Sequence, residues 1–249
     1  KEEKKGLSLE DKHVKNRIVN DSLTKAIKLK PSPIFSKASI SKVSTGNFDE
    51  DLSKIGDADW VIEVVVENLE IKQSLYEKVE RYRKTGSLIS SNTSGIPIRL
   101  MSQGRSEDFQ KHFCGTHFFN PPRYLKLLEV IPGPKTDPEI VKFFMDFGLK
   151  FLGKTTVQCK DTPAFIANRI GIYSIMSLVD LQSQLNLTIE EIDKLTGPVI
   201  GRPKSATFRT IDVVGLDTLV KVSDFLSNTV PSDESISVFT VPEALRKMQ

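Results

Sequence analysis

Apolar positions along the chain follow two rhythms, which change near residue 160. From Asn16 to Lys30, Ile18, Val19, Leu23, Ile27 and Leu29 recur at near-helical spacing before Pro31 and Pro33, which predicts a helix ending in a loop. Ile40–Val43 reads as a short strand. The run Val61-Ile62-Glu63-Val64-Val65-Val66 is β-branched and almost wholly apolar, the composition of a strand covered on both faces in a parallel sheet. Helical spacing returns at Ile71, Leu75, Val79 and Tyr82. Ser87–Ser91 then reads as a second strand, Asn92-Thr93-Ser94-Gly95 as a turn, and Ile96 to Met101 as the start of another helix. Strands alternating with helices imply βαβ crossovers.

Phe113–Phe119 and Leu125–Ile131 are strand-like runs joined by Asn120-Pro121-Pro122-Arg123-Tyr124, where paired prolines force a loop. A helix over about Asp137–Leu149 and a strand near Thr155–Cys159 complete this part. Asp161-Thr162-Pro163 then opens a long helix reaching about Leu185, with Thr162 as N-cap and Pro163 at the first helical position. Thr188, three residues before Glu191, forms a capping box for the next helix. The expected organisation is an α/β domain over residues 1–160 and a helical domain over 161–249.

Composition narrows the function class only slightly. The 35 basic and 32 acidic residues leave a formal charge of +3, which selects no partner, nucleic acid included. Lys1, Lys4, Lys5, Lys12, Lys15, Arg17, Lys25, Lys28 and Lys30 gather near the start, but interleaved acids make this a solvated face. Cys114 and Cys159 are far apart in apolar segments, with neither a disulfide framework nor metal-ligand spacing. No run of about 18 apolar residues or signal-peptide pattern occurs. The expectation is a chain with no metal and no membrane partner, located in the cytoplasm, or in the mitochondrion if the source is a eukaryote.

Histidine chemistry has three candidates, His13, His112 and His117. If the two strands around the proline loop form a hairpin centred on Arg123, His117, six residues before it, faces Glu129, six after. Facing residues have Cβ atoms about 5 Å apart. Glu129 stands in the apolar run Leu127-Leu128-Glu129-Val130-Ile131, where a buried carboxylate needs a partner. A carboxylate holding one imidazole nitrogen leaves the other as a general base. Such a dyad serves a hydrolase, a lyase or a dehydrogenase. Asn92, Thr93 and Ser94 lie at the carboxyl end of a strand, where open α/β sheets place ligands, although the same residues also make an ordinary capped turn.

Several separate motifs resemble, in order and spacing, those of the L-3-hydroxyacyl-CoA dehydrogenases: Val66-Glu67-Asn68, Ser91-Asn92-Thr93-Ser94, Gly115-Thr116-His117-Phe118-Phe119-Asn120-Pro121, Leu128-Glu129-Val130, and Lys160-Asp161-Thr162-Pro163-Ala164-Phe165-Ile166-Ala167-Asn168-Arg169. The resemblance runs from about Asp57 to Thr218. Residues Gly201–Arg209, before Asp212–Thr218, resemble the form in fused β-oxidation proteins that carry a hydratase. The resemblance implies oxidation of (S)-3-hydroxyacyl-CoA to 3-oxoacyl-CoA with NAD. It implies that His117 takes the 3-hydroxyl proton, that Glu129 orients His117, and that Ser94 and Asn168 bond the reacting oxygen or thioester region. Glu67, Lys72, Asn92 and Asn120 would lie near the cofactor. It further implies a Rossmann-like doubly wound sheet, a helical domain for substrate and dimer contacts, and as partners a second copy or a fused enoyl-CoA hydratase module.

One departure stands out. The family opens with a Gly-x-Gly-x-x-Gly turn that receives the cofactor pyrophosphate at a helix N-terminus, yet Gly6 is the only glycine here before Gly46 and no Gly-x-Gly occurs. The sheet is therefore expected to be incomplete and both domains shortened, in a truncated, cleaved or partly disordered form that binds NAD poorly. Two alternatives follow. One is a catalytically incompetent fragment or assembly module of a multifunctional β-oxidation protein. The other is another two-domain hydroxyacid dehydrogenase, disfavoured because the 6-phosphogluconate and 3-hydroxyisobutyrate types rely on a catalytic Lys.

Overall fold

A computed structural model describes Gly6, Ser8 and residues 10–248; Lys1, Lys4 and Lys5 of the basic opening lie outside them. Contacts divide the chain into two compact units, one running through Thr93 and then Ile98–Lys160, the other comprising Ser94–Pro97 and the chain from Asp161.

The first unit begins with α1 (Lys12–Lys15) and α2 (Arg17–Lys28), neither of which buries a side chain. In the region expected to be a strand, Ile40–Val43, residues Ile40–Lys42 instead end a 3-10 helix over Lys37–Lys42, and Val43 is the extended residue that follows it. Ser36 caps the helix by accepting the Ala38 N–H, and this local bond displaces the extended form. The sheet follows: β1 (Trp60–Glu63), α3 (Leu69–Tyr82), β2 (Leu88–Ser91), α4 (Ile98–Ser102), α5 (Glu107–Lys111), β3 (Phe113–Phe118), β4 (Leu127–Pro132), α6 (Pro138–Lys150) and β5 (Thr155–Gln158). The spatial order is β1-β2-β3-β4-β5, parallel except where β4 runs antiparallel to β3. This is a mixed, mostly parallel sheet with helices on both faces.

β1 is shorter than the apolar run that predicted it. Val64 and Val66 fall outside it and, with Ile62, are exposed; among the described residues β1 stands at one edge of the sheet, beside β2. The two sheet faces separate cleanly, since alternate residues share a face. Trp60, Cys114, Leu128, Val130 and Phe144 of α6 pack on one. On the other, Tyr76 of α3 meets Phe109 and Phe113.

In the second unit α7 (Ala167–Leu185), α8 (Ile189–Thr196), α9 (Phe208–Val214), α10 (Leu216–Thr229) and α11 (Glu243–Lys247) surround Met176, Val179, Ile211, Leu219, Val220, Val241 and Leu245. The capping box is present: Thr188 Oγ1 accepts the Glu191 N–H while Glu191 Oε2 accepts that of Thr188. α7 starts at Ala167 rather than Pro163, because Ala164 and Phe165 take left-handed backbone angles (φ 57° and 51°). That turn buries both side chains, Ala164 against Leu226, Val230 and Phe239, so packing overrides the Pro-led start. Asp193 of α8 accepts the backbone N–H groups of Thr207, Phe208 and Arg209, supplying acceptors to the orphan donors that open α9.

Candidate active site

β3 and β4 pair with His117 directly opposite Glu129, the register that symmetry about Arg123 predicts. Nδ1 of His117 lies 2.8 Å from Oε2 of Glu129, and both residues are buried. A buried carboxylate acts as acceptor, so Nδ1 carries the proton and Nε2 is the basic nitrogen. The His117 ring also leans on Phe119, with centroids 4.4 Å apart. His117 sits near the carboxyl end of β3, the end at which β1 and β2 also finish. The other histidine of this region, His112, is held by the backbone carbonyl of Asp108 through Nδ1.

Glu67 follows β1, and its carboxylate is partly exposed. Thr93 Oγ1 donates to its Oε1 at 2.5 Å, and Lys72 Nζ stands 3.3 Å from its Oε2. Lys72 does not open to solvent. It is 1 % exposed, and its ammonium donates to both oxygens of Glu63 at 2.9 Å. Tyr76 and Ser91 also donate to Glu63 Oε2, at 2.8 and 2.6 Å. Burial, reinforced by the Glu63 charge, pushes the Tyr76 hydroxyl well above its ordinary range, so it remains a donor. Glu63, Tyr76 and Ser91 are absent from the site residues expected from sequence. Glu63 carried a readable signal: like Glu129, it is a carboxylate inside an apolar run.

Asn92 serves the scaffold, its Oδ1 accepting the Phe118 N–H at 2.9 Å and so tying the end of β2 to β3. Asn92 and Asn120 line a cavity of about 450 Å³ with Ile62, Val64, Phe118, Phe119 and Pro122. Ser94 is exposed and Asn168 half-buried at the start of α7, both in the second unit.

The partly exposed carboxylate of Glu67 offers acceptors for the ribose hydroxyls of a dinucleotide. The cavity bordered by Ile62 and Phe118 lies on the sheet face opposite His117, because Ile62 alternates with Glu63 and Phe118 with His117. For the pyrophosphate, the sequence supplies no Gly-x-Gly turn.

Residues 8–162 match the family model described as 3-hydroxyacyl-CoA dehydrogenase, NAD binding domain, and residues 165–248 that described as its C-terminal domain. A protein of Bacillus subtilis named as a probable 3-hydroxyacyl-CoA dehydrogenase is 50% identical over 247 residues, 99% of this chain and 31% of that protein. One of the same name from Deinococcus radiodurans is 45% identical over 96% of this chain and 68% of its own. The chain thus spans about a third of the first relative's length and two thirds of the second's. The crystal structure of (S)-3-hydroxybutyryl-CoA dehydrogenase PaaH1 from Ralstonia eutropha superposes with a TM-score of 0.74 at 26% identity, covering 93% of this chain and 78% of that one. Among the described residues no helix is long and apolar enough to cross a membrane.

Proposed function

The chain belongs to the 3-hydroxyacyl-CoA dehydrogenase family, and from that premise we propose that it oxidises the 3-hydroxyl of a 3-hydroxyacyl-CoA, with His117 as general base. The observation that carries this reading is the buried pair, Nδ1 of His117 at 2.8 Å from Oε2 of Glu129, at the carboxyl end of the parallel strands. With Nδ1 engaged by Glu129, Nε2 of His117 serves as the base for an incoming hydroxyl. It takes the hydroxyl proton as the carbonyl forms, and Glu129 compensates the charge the imidazole acquires. NAD, when bound, supplies the acceptor for the hydride leaving C3. Glu67 supplies acceptors for ribose hydroxyls, while Asn92 and Asn120 border the apolar cavity.

The test is steady-state NADH production from (S)-3-hydroxybutyryl-CoA by the full-length protein. His117→Ala lowers kcat by about 10²-fold or more; normal turnover in that variant would remove the proposed mechanism.

A further inference from the structure

Two rows of side chains lie on the same sheet face. His117 and Glu129 form the outer row, and Glu63, Ser91, Gly115 and Ile131 form the next one inward, by the registers Glu63↔Ser91, Ser91↔Gly115 and Gly115↔Ile131. The inner row holds the ion pair of Glu63 and Lys72 described above, which the proton-transfer steps do not use.

We propose that Glu63 is a positioning residue for the nicotinamide-ribose site, acting through Lys72 to fix the carboxylate of Glu67. This rests on the reading of Glu67 given above. Both oxygens of Glu63 are engaged by the chain after β1, by α3 and by β2: the Val65 N–H at 2.6 Å and Lys72 on Oε1, and Lys72, Tyr76 and Ser91 on Oε2. Lys72 cannot swing away, because a buried ammonium that left Glu63 would lose its compensating charge. It therefore presents a fixed donor to Glu67 Oε2, and Thr93 fixes Oε1 from the other side. Contacted at both oxygens, Glu67 is fixed in orientation just beyond the carboxyl end of β1. Glu63, Lys72 and Glu67 together carry a formal charge of −1, and Glu67 is the partly exposed member. That charge suits a pair of hydroxyl donors. Freed from Glu63, Lys72 would have only Glu67 to neutralise it and would draw that carboxylate inward.

The experiment measures NADH and ADP binding to the full-length protein, by fluorescence titration and calorimetry. ADP lacks the nicotinamide ribose and so reports whether the rest of the site stays intact. The variants are Glu63→Gln, Tyr76→Phe and the double variant Glu63→Gln with Lys72→Met, which removes both buried charges and keeps the fold if the single variant does not. NADH affinity is expected to fall about 10-fold or more in Glu63→Gln and in the double variant, the loss of one to two hydrogen bonds to a charged group. ADP affinity stays within about 2-fold, and Tyr76→Phe gives an intermediate loss of NADH affinity. If either Glu63 variant kept the wild-type ratio of NADH to ADP affinity, the positioning role would be overturned. If wild-type protein and Glu67→Gln bound NADH alike, the reading of Glu67 would fail instead, and the inference with it.

Discussion

Gly115 lies two residues before His117 on the same face of β3, and a Cβ built on it would come within 3.0 Å of the Cβ of Ile131 and 2.7 Å of the Cδ1 of Ile98. The Ile98 methyl can rotate aside, whereas the Ile131 Cβ is fixed to the backbone of β4, which also carries Glu129. Gly115→Ala is expected to force β3 and β4 apart behind the His117–Glu129 pair. A cost of about 1–3 kcal/mol follows for overpacking. It is read as a lower urea midpoint with an unchanged m-value, and an unchanged midpoint would show that the strands yield freely.

The opposite sign is expected at Gly171. It lies inside α7, with no heavy atom within 4 Å of an added Cβ among the described residues. Ala removes backbone freedom from the unfolded chain and favours the helix, so Gly171→Ala is expected to stabilise the protein by about 0.5–1 kcal/mol. The same urea titration reads it as a raised midpoint; a lowered one would mean that the α7 face at Gly171 packs against something.

Glu129→Gln keeps the shape of the side chain and removes its charge. The amide still accepts from His117 Nδ1 but no longer balances the imidazolium formed on proton transfer, so kcat falls by about 10²-fold or more. KM for the acyl-CoA moves little, because the charge develops only as the reaction proceeds. An effect on KM alone would place Glu129 in binding rather than in proton transfer.

The His117–Glu129 pairing was legible because a hairpin ties two distant positions to one symmetric centre, and both strands read clearly. Glu63 and Glu129 gave the same sequence signal, a carboxylate in an apolar run, but only Glu129 had a partner that could be located from strand register. The partners of Glu63 come from α3 and β2, and no local spacing says which helix face turns toward which strand. For the same reason no local spacing showed that Lys72, expected near the cofactor, also forms a buried ion pair with Glu63. The Ile40–Val43 and Pro163 expectations failed where a single cap or the burial of Ala164 and Phe165 outweighed local preference.

The two thiols give the protein a stability loss at alkaline pH. Burial, with the Glu129 carboxylate beside it, pushes the Cys159 thiol from its ordinary value of 9.0 up to about 12, and burial pushes Cys114 in the same direction. In the unfolded chain both thiols ionise near 9.0, whereas the folded chain holds their protons to higher pH. Their contribution is therefore fully present below pH 9 and is lost as pH rises from there toward about 12. Urea midpoints measured between pH 7 and 11 are expected to be level, as far as the thiols are concerned, up to about 9 and to decline above it. Lysine and tyrosine side chains also titrate in this range, so the informative quantity is the difference between variants. Cys159→Ala and Cys114→Ala should each show a shallower alkaline decline than wild type, whatever their offset at pH 7. Parallel declines in all three proteins would mean that these thiols meet water in the folded state.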